Sequence, residues 1–212
     1  KKAWPHILAV LVFIGIATAY FFPQLDGKIV FQSDIAQYKG MSKEIKDFKK
    51  RTGETALWTN SMFGGMPTYQ IDIVKSGNVT SFFQKLYQLK IPSPIGRFFV
   101  AMLSFYILMI LLGSNYLVSL LGAVSFAFTT NNFLLYEAGH VTKLGVISYL
   151  PLLAAGLILA FRRKYLLGGV LFALGSAFSL STNHPQMLYY FFLTLVIYGV
   201  AQLVKDYQKG EL

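Results

Sequence analysis

The chain has 212 residues, 55% of them hydrophobic and 13% charged, with no cysteine and a formal net charge of +10. A soluble domain carries roughly 25% charged residues, so the composition argues against an ordinary soluble domain, and the missing thiols exclude a disulfide framework, a cysteine nucleophile and a cysteine metal site. No RNP, helix-turn-helix or zinc-finger pattern accompanies the basic balance, so no nucleic acid is read as a partner; Lys and Arg flanking membrane helices, together with a basic loop, account for it.

About 20 mostly apolar residues cross a bilayer, and six segments of about that kind predict an all-α, polytopic membrane bundle. The first covers residues 5–22 within a first unit 1–22. Its basic start at Lys1 and Lys2 and its small residues Ala17, Thr18 and Ala19 resemble a signal peptide. The apolar stretch is longer than the usual core of about 7–15 residues, so it is read as an uncleaved anchor. A long outer loop, 23–95, follows. There Met41, Ile45 and Phe48 stand at i, i+4 and i+7 among Lys43, Lys46, Lys49 and Lys50, which predicts an amphipathic helix over 41–51. Residues 79–90 repeat the theme with Phe82, Phe83, Leu86 and Tyr87 behind an Asn78 cap. Both are read as helices lying in the membrane interface, with a small packed ectodomain as the alternative. Between them, Gly64, Gly65 and Pro67 prevent regular helix and permit close backbone approach. Trp58, Asn60 and Tyr69 are the candidate substrate contacts of this stretch, stacking on a sugar or lining a lipid groove; the alternative is an interfacial turn with aromatic anchors.

Residues 96–204 hold the other five spans, at 96–113, 116–136, 144–161, 165–182 and 186–204, with a tight helical hairpin at Gly113-Ser114-Asn115. Residues 205–212 form a tail. Basic residues in short loops set orientation: Lys1 and Lys2, then Arg162-Arg163-Lys164, then Lys205 and Lys209 fall on one side of a six-span chain. That side is predicted to be cytoplasmic, with both ends of this segment on it. The outer loop carries eleven Lys/Arg against six Asp/Glu over 23–97, but loops of that length translocate largely regardless of charge.

Polar residues gather on the outer side. Asp34 follows the first span closely; partly desolvated there, it is a candidate general base with a raised pKa, and equally a cap for the next helix. Glu137, His140 and Lys143 fall at helical spacing and share a face if the segment is helical. Glu-x-x-His occurs in metal sites, which makes a divalent metal a possible cofactor; His140 and Lys143 suit a phosphate better. His184 and Gln186 lie in the last outer turn, with Pro185 starting the next helix. Thr129 to Asn132 and Ser176, Ser179, Ser181 and Thr182 are polar at span depth and are expected to face a wet cavity.

Taken in order, Gln32-Ser33-Asp34, the stretch 58–69, Tyr136-Glu137-Ala138-Gly139-His140 and Asn183-His184-Pro185-Gln186 resemble the N-terminal part of the bacterial YfhO family of multi-spanning membrane proteins. That family is similar to the GT-C membrane glycosyltransferases, which take a sugar from a polyprenyl-phosphate donor on the outer face; its members are linked to glycosylation of cell-envelope polymers. The resemblance implies a GT-C-like bundle in the bacterial cytoplasmic membrane, part of a longer native chain. It implies inverting transfer with Asp34 as base and a cell-envelope acceptor. Trp58, Asn60, Tyr69, Glu137, His140, Lys143, His184 and Gln186 would bind substrate. Ser33 stands where some of these enzymes carry a second acid. The rival expectations are a lipid or polymer transporter, for which the six segments lack an internal repeat, and a non-catalytic assembly subunit.

Overall fold

A computed structural model describes residues 3–72 and 78–210. Lys1 and Lys2 of the orientation argument, and the last two residues of the tail, lie outside the described residues. The described chain is nearly all α-helix. Its helices are α1 (Trp4–Tyr20), α2 (Phe22–Leu25), α3 (Ser33–Met41), α4 (Lys43–Thr52), α5 (Thr80–Tyr87), α6 (Ile95–Leu112), α7 (Tyr116–Ala127), α8 (Thr130–Ala138), α9 (Val141–Phe161), α10 (Tyr165–Ser181) and α11 (Pro185–Gln208). Four stretches are long and apolar enough to cross a membrane: α6, α7 with α8, α9 and α11. Two further apolar helices, α1 and α10, have 17 residues each, about 25 Å at 1.5 Å per residue.

At the centre stands α9, packed against α6, α8, α10 and α11. Along α10 the contact is backbone to backbone. A Cβ on Gly156 would sit 2.5 Å from the Phe172 nitrogen and 2.7 Å from the Gly168 oxygen, so only glycine permits this approach. On the other flank, Phe13, Ala17 and Phe21 of the first helix and its exit pack with Phe98, Phe99 and Met102 of α6. The outer face of α11 leaves Leu193, Val196, Ile197, Val200 and Val204 exposed, the surface expected where hydrocarbon rather than water surrounds a helix.

The hairpin at Gly113 forms as predicted: Gly113 has φ +98° and Asn115 caps α7 by accepting from the Val118 amide at 2.9 Å. The segment 116–136, expected as one helix, is two. The ladder breaks at Phe128 and Thr129, and the Asn132 side-chain amide donates to the carbonyls of Phe126 and Ala127, 3.0 Å each. Asn132 is buried and closes the end of α7, so it serves the backbone rather than a wet cavity.

The long segment between α2 and α6 folds partly on itself. Trp58–Thr59 pairs antiparallel with Met66–Pro67, Trp58 opposite Pro67 and Thr59 opposite Met66. This hairpin is clasped to α4 by Glu44, whose Oε2 accepts from the amides of Asn60 (3.1 Å) and Ser61 (3.0 Å) and from the Thr59 hydroxyl. Ile45 of α4 is buried. The helix predicted over 41–51 therefore begins at Lys43, behind a separate helix α3, and α4 is a packed element rather than a lone interfacial one. The other amphipathic helix, α5, packs on α10 and places Tyr87 against Tyr149 and Phe178, with Phe82, Phe83 and Leu86 exposed. Asn78 accepts from the Thr80 amide at 2.9 Å in a turn ahead of the helix, whose capping position is Val79 rather than the expected Asn78.

Candidate functional site

One end of the bundle collects the polar residues: there α6, α9 and α11 begin and α1, α8 and α10 finish. The segment entering α3 runs across it and is fastened to the end of α8. The Gln32 side chain donates to the Tyr136 carbonyl, the Ser33 hydroxyl reaches the Ala138 carbonyl at 3.4 Å, and the Tyr136 hydroxyl meets Gln24 at 3.2 Å. Gly139 makes this closeness possible. Its φ is +92°, and a Cβ there would lie 3.1 Å from the Asp34 Cβ and 3.2 Å from the Ile35 nitrogen.

The consequence is a side-chain contact between residues 106 positions apart. His140 Nδ1 lies 2.7 Å from Asp34 Oδ2, with the side chains 36% and 43% exposed. Asp34 sits in the first turn of α3, where a carboxylate also meets the positive end of the helix dipole. An imidazole that gives its Nδ1 proton to a carboxylate presents Nε2 as its basic nitrogen. Among the described residues His140 Nε2 has no hydrogen-bond partner.

Gly139 also ends α8, so the expected shared helical face of Glu137 and His140 does not form: Glu137 is on α8 and His140 is the residue that caps α9. Glu137 is exposed and borders two cavities of about 330–360 Å³ beside the pair. One is lined by Phe31, Ser33, Leu134 and Ala138, the other by aromatic residues including Tyr20, Phe133 and Tyr136. Among the described residues no group of three or more His, Asp or Glu converges as a metal site would require, so Asp34 and His140 do not fit a divalent metal as drawn. A cavity of about 400 Å³ lies at the opposite end, by Phe161, Arg163 and Asp206, far from these groups.

Lys143 stands in the first turn of α9 and His184 caps α11. Burial, and then the charges of Lys143 and His140, hold the His184 imidazole below its ordinary value. Its Nε2 is buried without a hydrogen-bond partner. Gln186 turns the other way along α11, donating to the Tyr190 hydroxyl at 3.1 Å. Trp58 and Asn60 bond each other in the hairpin (3.2 Å), and Tyr69 follows it, exposed. No hydrogen bond or ring contact joins Trp58 or Asn60 to Asp34, His140 or His184 among the described residues. Asp34 and His140 thus come together, His184 feels the charges of Lys143 and His140, and the hairpin residues make no hydrogen bond with them among the described residues.

Arg97 is the residue that sequence reasoning passed over. It lies in the first turn of α6, and its Nη1 is 2.7 Å from where a Cβ on Gly145 would be, beside the Thr182 side chain. Its Nε is buried without a partner. The signal was present: a full charge two residues inside an apolar helix of spanning length. No protein-family model, curated protein or solved structure matches this chain.

Proposed function

We propose that the chain is the catalytic membrane part of a glycosyltransferase of GT-C type, acting on a polyprenyl-phosphate sugar at the extracytoplasmic face and passing the sugar to a cell-envelope acceptor. The Asp34–His140 pair carries this reading, because it joins a carboxylate to an imidazole at the mouth of an apolar bundle. The packing of the two shorter helices supports six spans. Contacts of α10 with α9 run from Thr182 and Gly145 at one end to Gly168 and Gly156 toward the other. Those of α1 with α6 run from His6 and Tyr106 (2.8 Å) to Phe21 and Phe98. Packing along the length of a spanning neighbour is what a spanning helix would show. The short basic connector Arg162-Arg163-Lys164 then faces the cytoplasm.

In the reaction an acceptor hydroxyl forms a bond to the anomeric carbon and the bond from that carbon to the phosphate oxygen breaks. The prenyl phosphate leaves with the electron pair, and the acceptor proton passes to His140 Nε2. Asp34 holds the Nδ1 proton and offsets the imidazolium charge, the role a carboxylate plays behind a basic histidine. This shifts the base from Asp34, where the family resemblance puts it, to its partner. Lys143 and His184 would supply donors to the departing charge.

The test is sugar transfer by the full-length protein in membranes. His140→Ala and Asp34→Asn should each lower the rate by roughly 10²–10⁴-fold, the range of general-base catalysis, at unchanged expression. Loss in Asp34→Asn with full activity in His140→Ala would return the base to Asp34. Full activity in both would remove the pair from catalysis and favour a transporter or assembly role.

A further inference from the structure

The cavity at the far end of the bundle has no part in the proposed transfer, and the helices around it explain its shape. It lies where α9 ends and α10 begins, against the last turns of α11, and measures about 400 Å³. That falls within the range of ligand pockets, about 300–1,000 Å³. The buried residues of α11 are Leu188 and Leu195, both in its first half. The Phe161 ring of α9 meets Tyr198 edge-on, 6.1 Å between centroids. Past Tyr198 the described part of α11 buries no residue, and the gap opens between Leu157 and Phe161 on one side and Leu203 on the other.

Two opposite charges line this gap, Arg163 from the connector and Asp206 from α11, together with Tyr165. Local structure explains neither charge. Arg163 holds φ +60° in the turn that closes α9, its amide donating to the Ala160 carbonyl and that of Lys164 to the Leu159 carbonyl, 2.9 Å each. Glycine adopts that conformation at no steric cost, so the turn itself gives no reason for an arginine. Asp206 stands two residues before the end of α11, where the helix dipole disfavours a carboxylate. Among the described residues the two make no ion pair with each other, although both border one cavity. The space between them suits a molecule that carries both an anion and a cation.

The surroundings add an apolar requirement. Both α9 and α11 are long and apolar enough to cross a membrane, so the level at which α9 ends is that of lipid headgroups, where basic residues and tyrosines such as Tyr165, Tyr198 and Tyr207 are expected. From the cavity, Leu203, Val200 and Val196 follow one another on a single face of α11, all exposed. They make a strip for hydrocarbon that begins at the two charges. We propose that this cavity binds the head of a phospholipid bearing a phosphate and a primary ammonium, in the leaflet on the connector's side, with its chains along that strip of α11. Arg163 holds the phosphate, to which a planar guanidinium is matched, and Asp206 accepts from the ammonium. A head with a phosphate alone brings Asp206 no cation, and a quaternary ammonium has no N–H to give it. The site does not depend on the transferase reading.

The experiment is lipid binding to the purified full-length protein in a non-ionic detergent, followed by native mass spectrometry. The probes are phosphatidylethanolamine, phosphatidylcholine and phosphatidylglycerol with the same acyl chains. Phosphatidylethanolamine should bind roughly tenfold more tightly than either of the others, the worth of a hydrogen bond between charged groups. Arg163→Gly, which suits the left-handed turn and so spares the fold, should weaken that binding by a similar factor. Asp206→Asn should erase the preference, and Asp206→Lys should turn it toward phosphatidylglycerol. Lys205→Gln, beside Asp206 but outside the cavity lining, should change nothing. A loss there equal to that of Arg163→Gly would mean that any basic residue serves, and would overturn the site. So would a native preference for phosphatidylglycerol, equal affinity for all three lipids, or a preference unchanged in both Arg163→Gly and Asp206→Asn. Free phosphoethanolamine should compete weakly; competition as strong as that of the lipid would overturn the lipid assignment in favour of a soluble zwitterion. Sugar transfer is not a readout here, so this site and the Asp34–His140 pair stand or fall separately.

Discussion

Glu44 and Gly139 show how single residues set the outer surface. Three donors of the hairpin point at one Glu44 oxygen, and the Thr59 hydroxyl first, then the Ser61 and Asn60 amides, hold this carboxyl below the 4.5 of an ordinary glutamate. Because the folded form titrates lower than the unfolded one, the clasp's contribution is fully present above pH 4.5 and is lost as pH falls through the lowered value. Trp58 reports on it, since its indole lies over Gly65 of the same hairpin. With Trp4→Phe leaving one tryptophan, Trp58 fluorescence should stay level down to about pH 4.5 and change below it, while Glu44→Gln should show the altered signal at every pH. Gly139 acts on the other group. Alanine there meets both an unfavourable positive φ, costing roughly 1–2 kcal/mol, and the Asp34 Cβ. Gly139→Ala should therefore part His140 from Asp34 and reduce sugar transfer at least tenfold in a protein that still reaches the membrane.

At the scale of elements, the seam between α9 and α10 is a close backbone approach. Gly156 faces backbone atoms of α10, which cannot rotate away, whereas a Cβ on Gly169 would meet nothing within 4 Å. Gly156→Ala should lower the thermal unfolding midpoint, by the roughly 1–3 kcal/mol of an overpacked core, and Gly169→Ala should leave it unchanged. Features resting on neighbours in the chain were legible in advance: the Gly113 turn and the apolar segments themselves. Those that depend on distant partners were not. Asn132 looked like a polar residue facing a cavity because its targets, the carbonyls of Phe126 and Ala127, become orphans only when the helix breaks. Glu137 and His140 had helical spacing, and the left-handed Gly139 between them removed the helix. The Asp34–His140 contact spans the whole first half of the bundle, so the two motifs could be singled out but not paired. Arg97 was visible as a charge inside an apolar helix, but its neighbours Gly145 and Thr182 were not.

For the whole molecule, the proposed transfer depends on one face. The Asp34–His140 pair serves the proposed extracytoplasmic reaction only if α1 and α10, the two 17-residue helices, cross the membrane with their longer neighbours. The chain has no cysteine, so single cysteines can be placed at will. The decisive measurement is labelling of Ala3→Cys, Ser33→Cys, Ser114→Cys, Gln186→Cys and Lys209→Cys in intact cells with a membrane-impermeant maleimide. The account predicts that positions 33 and 186 react in intact cells, and that 3, 114 and 209 react only after permeabilisation. Position 3 labelled together with 33, or position 186 behaving like 114, would contradict it, because α1 or α10 would then not cross and the polar residues would not share an outer face.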